Sequence, residues 1–411
     1  MTRSTATLPS PSRPARFVVV ANPESRRLAL FQSALARLNL PPAQVLSYQD
    51  LLAGRDTLER LVQPGTLVRV ESPGQNFEVE KALLVLGADV PDTEGPTRIS
   101  RDQARALVFD RGRILYPRQW FLGFREVLRR LDRQLAACPG HRLLNSLADI
   151  ETMFDKCRCH DLFTRHGIPV PRSLGLIRSY GELRERMSQT GRRRVFVKLA
   201  HGSSASGVVA YETAGPREQA FTTVEMVRQN GTVILYNSRR IRRYTRREDI
   251  AVLVDSLARE GVQVEEWVPK AGLRNRRCDV RVVVIAGRAR HVVVRLSDSP
   301  MTNLHLKNER AGLDLLLTRM DGADWATAQR TCERAAGVFP GSLYAGVDLV
   351  IAPGYQRHAV VEINAFGDLL PGVLCDGMDT HTAEIVAMVP FPWTADTSLK
   401  GQQRKQGGFP R

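Results

Sequence analysis

The stretch Ala359-Val-Val-Glu-Ile-Asn364 sets the tightest constraint on how this chain can fold. It is an apolar run that carries a carboxylate and an amide two positions apart. In a β-strand, residues i and i+2 share a face, so Glu362 and Asn364 point the same way. A second short apolar run, Gly346-Val-Asp-Leu-Val-Ile351, lies upstream. If the two strands pair, Asp348, Glu362 and Asn364 converge on one point. Charges inside Val/Ile-rich strands need partners. Two carboxylates and a neutral oxygen suit a hard cation such as Mg²⁺, which keeps waters and substrate phosphates as its other ligands; Mn²⁺ is the alternative ion. For any one of these acids taken alone, a solvated strand edge is the plainer reading.

With 411 residues and 43% hydrophobic content, the chain is long enough for two to three domains with real cores. Of its 59 basic residues only seven are lysines (Lys81, Lys156, Lys198, Lys270, Lys307, Lys400 and Lys405), and the formal net charge is +16. Part of this arginine bias reflects composition alone; the rest allows an acidic partner, whether nucleotide, acidic peptide or nucleic acid. The six cysteines are Cys138, Cys157, Cys159, Cys278, Cys332 and Cys375. Cys157 and Cys159 are too close for an ordinary zinc knuckle, and no second pair completes a four-ligand site. Free thiols in a reducing cytosol are expected. No apolar run is long enough to span a bilayer and no signal-peptide pattern is visible, so a cytoplasmic location follows. Residues 1–15 and 396–411 read as disordered tails.

Strand-like runs at 16–21, 45–48 and 67–71 alternate with helical patterns at 23–40 and 77–86. This βαβ rhythm predicts a small α/β domain with a parallel sheet over 16–140. No Gly-x-Gly-x-x-Gly follows the first strand, which disfavours a dinucleotide fold. A helix over 119–137 leads to a domain boundary near Pro139-Gly140. Beyond it the spacing predicts one helix over 149–166, capped by Ser146 and ended by Gly167. Strands follow at 195–199, 208–211 and 262–268, a hairpin at 280–285 and 291–296, and helices at 182–189, 249–260 and 327–338.

Several residues along this path carry chemistry. Lys198 lies on a strand that opens into a loop of small residues with Gly202, Ser203, Ser204 and Gly207. Small residues let backbone amides approach phosphate oxygens. The Gly-Lys-Ser/Thr order of a P-loop is missing and no helix follows, so the loop reads as a flap or as an ordinary hairpin turn. Lys156 is a second lysine on the preceding helix, or simply a solvated one. Glu266, Trp267 and Val268 end a strand whose backbone can face an adenine edge. Asp279 and Arg281 share a strand face, with Arg295 on the hairpin partner. Two arginines near a metal–phosphate centre would stabilise a transferring phosphoryl group; each alone is equally a surface ion pair.

In this order, followed by Asn303-Leu-His305, Asp348 and Glu362-x-Asn364, the elements resemble the ATP-grasp superfamily of carboxylate–amine ligases and related kinases, over roughly Asn145 to Pro392. The Asp-x-Arg and Asn-Leu-His elements are most similar to the branch containing ribosomal protein S6 glutamate ligase. The resemblance implies an α/β and α+β protein: a pre-ATP-grasp α/β domain over 16–140, then a two-lobed grasp over 141–395 with the nucleotide between two β-sheets. It implies that Lys156 and Lys198 hold nucleotide phosphates beneath the Gly202–Gly207 flap. Glu266, Trp267 and Val268 would form the adenine hinge, and Asp279 would lie near the ribose. Arg281 and Arg295 would face the reacting phosphoryl group, with Asn303 near the γ-phosphate or a metal. Asp348, Glu362 and Asn364 would bind Mg²⁺. Two departures stand out. Met301 occupies a position where that branch tends to carry arginine, and Leu273–Cys278 is inserted before Asp279. Both put the substrate in doubt more than the nucleotide. Asp368 would orient an amine or a metal ligand, or is an ordinary turn acid.

The activity so implied is a two-step ligation of a small-molecule or peptide carboxylate to an amine, consuming ATP. Three other readings stay open: a kinase on the same fold, a nucleotide binder without turnover, and a nucleic-acid-binding protein using Arg239-Arg-Ile-Arg-Arg-Tyr-Thr-Arg-Arg247. The metal triple argues against the second. Sparse aromatics, only Tyr236 and Tyr244 near that run, leave few platforms for base stacking in the third.

Overall fold

The computed structural model describes residues 15–92, 98–202, 205–306, 308–367 and 370–389. Ser203, Ser204, Asp368 and the expected tails, save Ala15, lie outside these residues. The first sheet is parallel, in the order β2 (Gln44–Ser47), β1 (Phe17–Ala21), β3 (Leu67–Val70), β4 (Arg142–Leu143). Its central strand Phe-Val-Val-Val-Ala is buried at every position, as a parallel strand covered on both faces requires. Two of its helices, Phe77–Gly87 and Pro117–Ala136, meet backbone to backbone. A Cβ on Gly87 would lie 2.0 Å from the Gln119 carbonyl oxygen, and one on Gly123 would lie 1.8 Å from that of Leu83. Only glycine at both crossing points permits this approach.

The helix predicted over 149–166 is two helices, Leu147–Met153 and Lys156–Arg165. The apolar spacing runs through both, but Asp155 takes an extended backbone and its carboxylate accepts the Arg158 N–H. An N-cap of this type restarts a helix by satisfying a free amide. The restart makes Lys156 a first-turn residue beside the flap, where its N–H donates to the Ala200 carbonyl.

The second sheet is antiparallel, in the order β5 (Ser173–Ile177), β10 (Val262–Glu266), β6 (Arg194–Leu199), β7 (Val209–Ala214), β8 (Arg217–Gln229), β9 (Thr232–Tyr244). The arginine run spans two elements. Arg239 to Tyr244 lie in edge strand β9, and Arg246 caps the helix Arg247–Ala258. Arg242 pairs with Glu225 and Arg247 with Glu218, while Arg243 lies over the Phe221 ring. The segment before the Pro117 helix covers part of that edge, with Ile114 N–H donating to Leu235 and Gly112 accepting from Asn237.

The third sheet is ordered β14 (Glu309–Ala311), β13 (Arg288–Ser297), β12 (Arg276–Ile285), β15 (Tyr344–Ile351), β16 (His358–Asn364). The inserted stretch is a small hairpin: β11 (Gly272–Leu273) pairs with the start of β12 around Arg274 and Asn275. Both turn residues have positive φ, 50° and 59°, as the tightest hairpin turns require.

The cores divide unevenly. One runs from Val18 and Val68 in the first sheet through Phe124, Ile150 and Phe163 to Val280 and Val347 in the third. The second sheet packs separately, with Val195, Val209 and Tyr211 against Leu183, Ile250 and Leu257. A C-terminal helix, Thr380–Met388, returns to the first sheet, where Ile385 joins Phe31 and Leu35. There Arg69 is fully buried. It pairs with Glu71 and Glu384, each at 2.6 Å, and its guanidinium lies 4.7 Å from the ring centroids of both Phe31 and Tyr344.

Candidate active site

Strand register brings the polar residues together. Across β15 and β16, Asp348 is opposite Glu362 and Gly346 is opposite Asn364. Across β12, Arg281 is opposite Asp348 and Asp279 is opposite Arg295. Opposed residues in an antiparallel ladder share a face. One face of the third sheet therefore carries Asp279, Arg281, Arg295, Asp348, Glu362 and Asn364. Gly346 keeps that face open: a Cβ there would lie 2.8 Å from the Gly367 carbonyl oxygen and 3.3 Å from Arg281 Nη1.

The second sheet closes over this face. Lys198 on β6 meets Glu265 on β10 at 2.5 Å. Lys156 Nζ donates to Glu362 Oε1 at 2.7 Å and to the Gly202 carbonyl at 2.8 Å, tying the base of the flap to the third sheet. Of the predicted residues, Lys156, Lys198, Gly202, Glu266, Val268, Asp279, Arg295, Asn303, Asp348 and Glu362 line the cleft between the sheets. Arg281 sits behind Asp348, gripping it at 2.5 and 2.9 Å. Asn364 shares the face but donates to the Gly346 carbonyl at 3.2 Å. Trp267 turns into an adjoining groove, with Arg194 over its ring. Gly207 closes the flap loop with φ +66°, and a Cβ there would strike Leu199 at 2.4 Å. The cleft holds about 100 Å³, less than the roughly 300–1,000 Å³ of a typical ligand site, because acid–base pairs fill it.

Those pairs share partners. Asp348 is held by Arg281 and by Arg295 at 3.0 Å. Asp279 accepts from Arg295 at 2.7 Å, from Lys270 at 2.9 Å and from the Thr302 hydroxyl. Lys156, Lys198, Lys270 and Arg295 thus line the cleft together with Glu265, Glu266, Asp279, Asp348 and Glu362, and each of these lysines and Arg295 is paired with a carboxylate. Burial pushes the Asp279 and Asp348 carboxyls up, but the guanidiniums outweigh it and hold both below the usual carboxylate range. Burial would likewise lower Lys156, yet the Glu362 carboxylate overrides it and the ammonium is favoured. At Lys270 burial prevails and its pKa falls.

Sequence reasoning passes over Lys270, Thr302 and Phe196, all of which line the cleft. The rarity of lysine is the one signal that points to Lys270. Val268, just past the end of β10, leaves its N–H without a protein acceptor among the described residues. No group of three His, Cys, Asp or Glu side chains arranged for a metal occurs among the described residues. Asp348, Glu362 and Asn364 nonetheless offer only oxygen acceptors suited to a hard cation, from one face, and so fit Mg²⁺ by donor type.

No protein-family model and no curated protein matches the sequence. Among solved structures, D-cycloserine synthetase DcsG is similar, with a TM-score of 0.52 and 14% identity over 91% of this chain and 99% of that one. ATP-grasp ligase PsnB, complexed with precursor peptide PsnA2 and AMPPNP, gives a TM-score of 0.49 and 17% identity over 92% of this chain and 99% of that one. Macrocyclase MdnC from Microcystis aeruginosa MRC, bound with precursor peptide MdnA, gives 0.48 and 12% over 90% and 99%. At these identities the likeness is one of fold. That fold is the ATP-grasp arrangement, in which a parallel α/β unit precedes two antiparallel sheets that face one another across a cleft.

Proposed function

We propose that this chain is an ATP- and Mg²⁺-dependent ligase that joins a carboxylate to an amine through an acyl phosphate, in the branch resembling ribosomal protein S6 glutamate ligase. The observation that carries this reading is the cleft between two ATP-grasp sheets, lined by Lys156, Lys198, Lys270 and Arg295, with Asp348 and Glu362 opposed on one face. The Val268 N–H donates to the adenine edge at the hinge. Lys156 and Lys198 exchange their carboxylate partners for phosphate oxygens as the nucleotide enters. Asp348, Glu362 and Asn364 would hold the metal, which would neutralise charge on the phosphate oxygens.

The substrate carboxylate attacks the γ-phosphorus, ADP departs, and Arg295 with Arg281 behind it stabilises the charge on the transferring group. The flap that Lys156 anchors through Gly202 keeps water from the acyl phosphate. The amine nitrogen then attacks the acyl carbon, phosphate leaves, and the amide forms with loss of a proton from nitrogen.

The test is release of both ADP and inorganic phosphate across a panel of amino acids and short peptides with Mg²⁺. A ligase releases both; a kinase releases ADP and leaves a phosphorylated product. Glu362→Ala abolishes the signal, and turnover that survives it removes the metal role proposed here.

A further inference from the structure

We infer that Lys270 is a phosphate-binding residue of the nucleotide cleft, delivered by the inserted hairpin to the corner that buried Met301 leaves without a cation. This rests on the ATP-dependent reading above and names a residue that the sequence motifs do not. Lys270 follows the hinge at Pro269, and its side chain is only 11% exposed. Its ammonium donates to Asp279 Oδ2 at 2.9 Å and to Thr302 Oγ1 at 2.7 Å. An ammonium has three donors, and the third finds no acceptor among the described residues while the side chain lines the cleft.

The backbone around it is fixed from both ends. Ala271 N–H donates to the Ile351 carbonyl at 2.7 Å, and the Ala271 carbonyl accepts from Cys278 at 2.9 Å across the β11–β12 hairpin. The insertion therefore does a definite job: it folds the post-hinge loop back so that Lys270 overlies Asp279. Met301, 3% exposed and lining the same cleft, brings no charge, yet Lys270 bonds its neighbour Thr302. Asp279 also accepts from Arg295 at 2.7 Å. The unused donor of Lys270 is explained by an anionic oxygen of the nucleotide.

The experiment is calorimetric titration of the full chain with ATP, ADP and adenosine, comparing wild type, Lys270→Met and Lys270→Arg. Removing a charge-assisted bond should weaken ATP and ADP about 10- to 100-fold and leave adenosine unchanged. Lys270→Arg keeps the charge and should stay within a few-fold of wild type. Equal weakening of all three ligands, or no weakening of ATP in Lys270→Met, overturns the inference. If Lys270→Met does not fold, Thr302→Val serves instead: it removes the hydroxyl that positions the ammonium and must weaken ATP and ADP selectively. Wild type that binds no ATP refutes the functional reading itself, whereas wild type and Lys270→Met that bind ATP equally refute only the role of Lys270.

Discussion

Replacing Arg69 by methionine should destabilise the protein severely and reverse the way its stability depends on pH. Arg69 has no exposed surface, pairs with Glu71 and Glu384, and lies between the Phe31 and Tyr344 rings. Methionine retains much of the packing volume but strands two buried carboxylates. Breaking a buried pair in this way costs about 3–5 kcal/mol, and losing two desolvated ring contacts brings the total to about 4–6 kcal/mol. Total stability for a protein is on the order of 5–15 kcal/mol, so the variant sits near the threshold of folding.

The sign of the pH effect follows from Glu384. Burial raises its pKa, but Arg69 and then His381 override this and hold it at about 2, against 4.5 unperturbed. In wild type this depressed value contributes about 3 kcal/mol above pH 4.5, lost as pH falls toward 2. Without Arg69, burial dominates and the Glu384 pKa rises above 4.5. The folded state then binds the extra proton, so Arg69→Met gains stability relative to wild type as pH falls from 7 toward 5. Urea denaturation followed by tryptophan fluorescence reads this directly, since Trp325 lies in the continuous core. A penalty under about 1 kcal/mol, or a midpoint that tracks wild type across this pH range, would refute the reasoning.

Three further outcomes are expected. Gly123→Ala places a Cβ 1.8 Å from the Leu83 carbonyl and forces the two helices apart, which should cost about 1–3 kcal/mol in denaturant midpoint without changing nucleotide affinity. Val268→Pro removes the hinge N–H and should weaken ATP and adenosine alike, by roughly tenfold, in contrast to the selective loss at Lys270. Asp155→Ala removes the cap that restarts the Lys156 helix and should cost about 1 kcal/mol, seen as a lower thermal midpoint.

Where function depends on local alternation, the sequence is readable. Asp348, Glu362, Asp279 and Arg281 fall on one face because period two and antiparallel pairing leave no other choice. The break at Asp155 is harder to see, since no glycine or proline marks it and a single capping carboxylate decides the matter. The β8–β9 hairpin escapes because its solvent-facing strand reads as a basic tract instead of an alternating one. The Thr380–Met388 helix has no polar face to announce it, being buried at Thr380 through Ile385 and at Met388. Arg69 reads as the polar member of an alternating strand; its partner Glu384 is 315 residues away, and no local pattern encodes that distance. Lys270 is hidden for the same reason, because its role depends on how a hairpin folds back and not on a motif.

The separate packing of the second sheet has a mechanical consequence. Its apolar interior is shut by its own two helices, Tyr180–Gln189 and Arg247–Ala258, so the lobe can swing as a unit with that interior closed. The work of parting the jaws is chiefly the rupture of polar links such as Lys156 to Glu362. Such links are matched by water once open, which keeps the motion inexpensive and lets an arriving triphosphate trade directly with them.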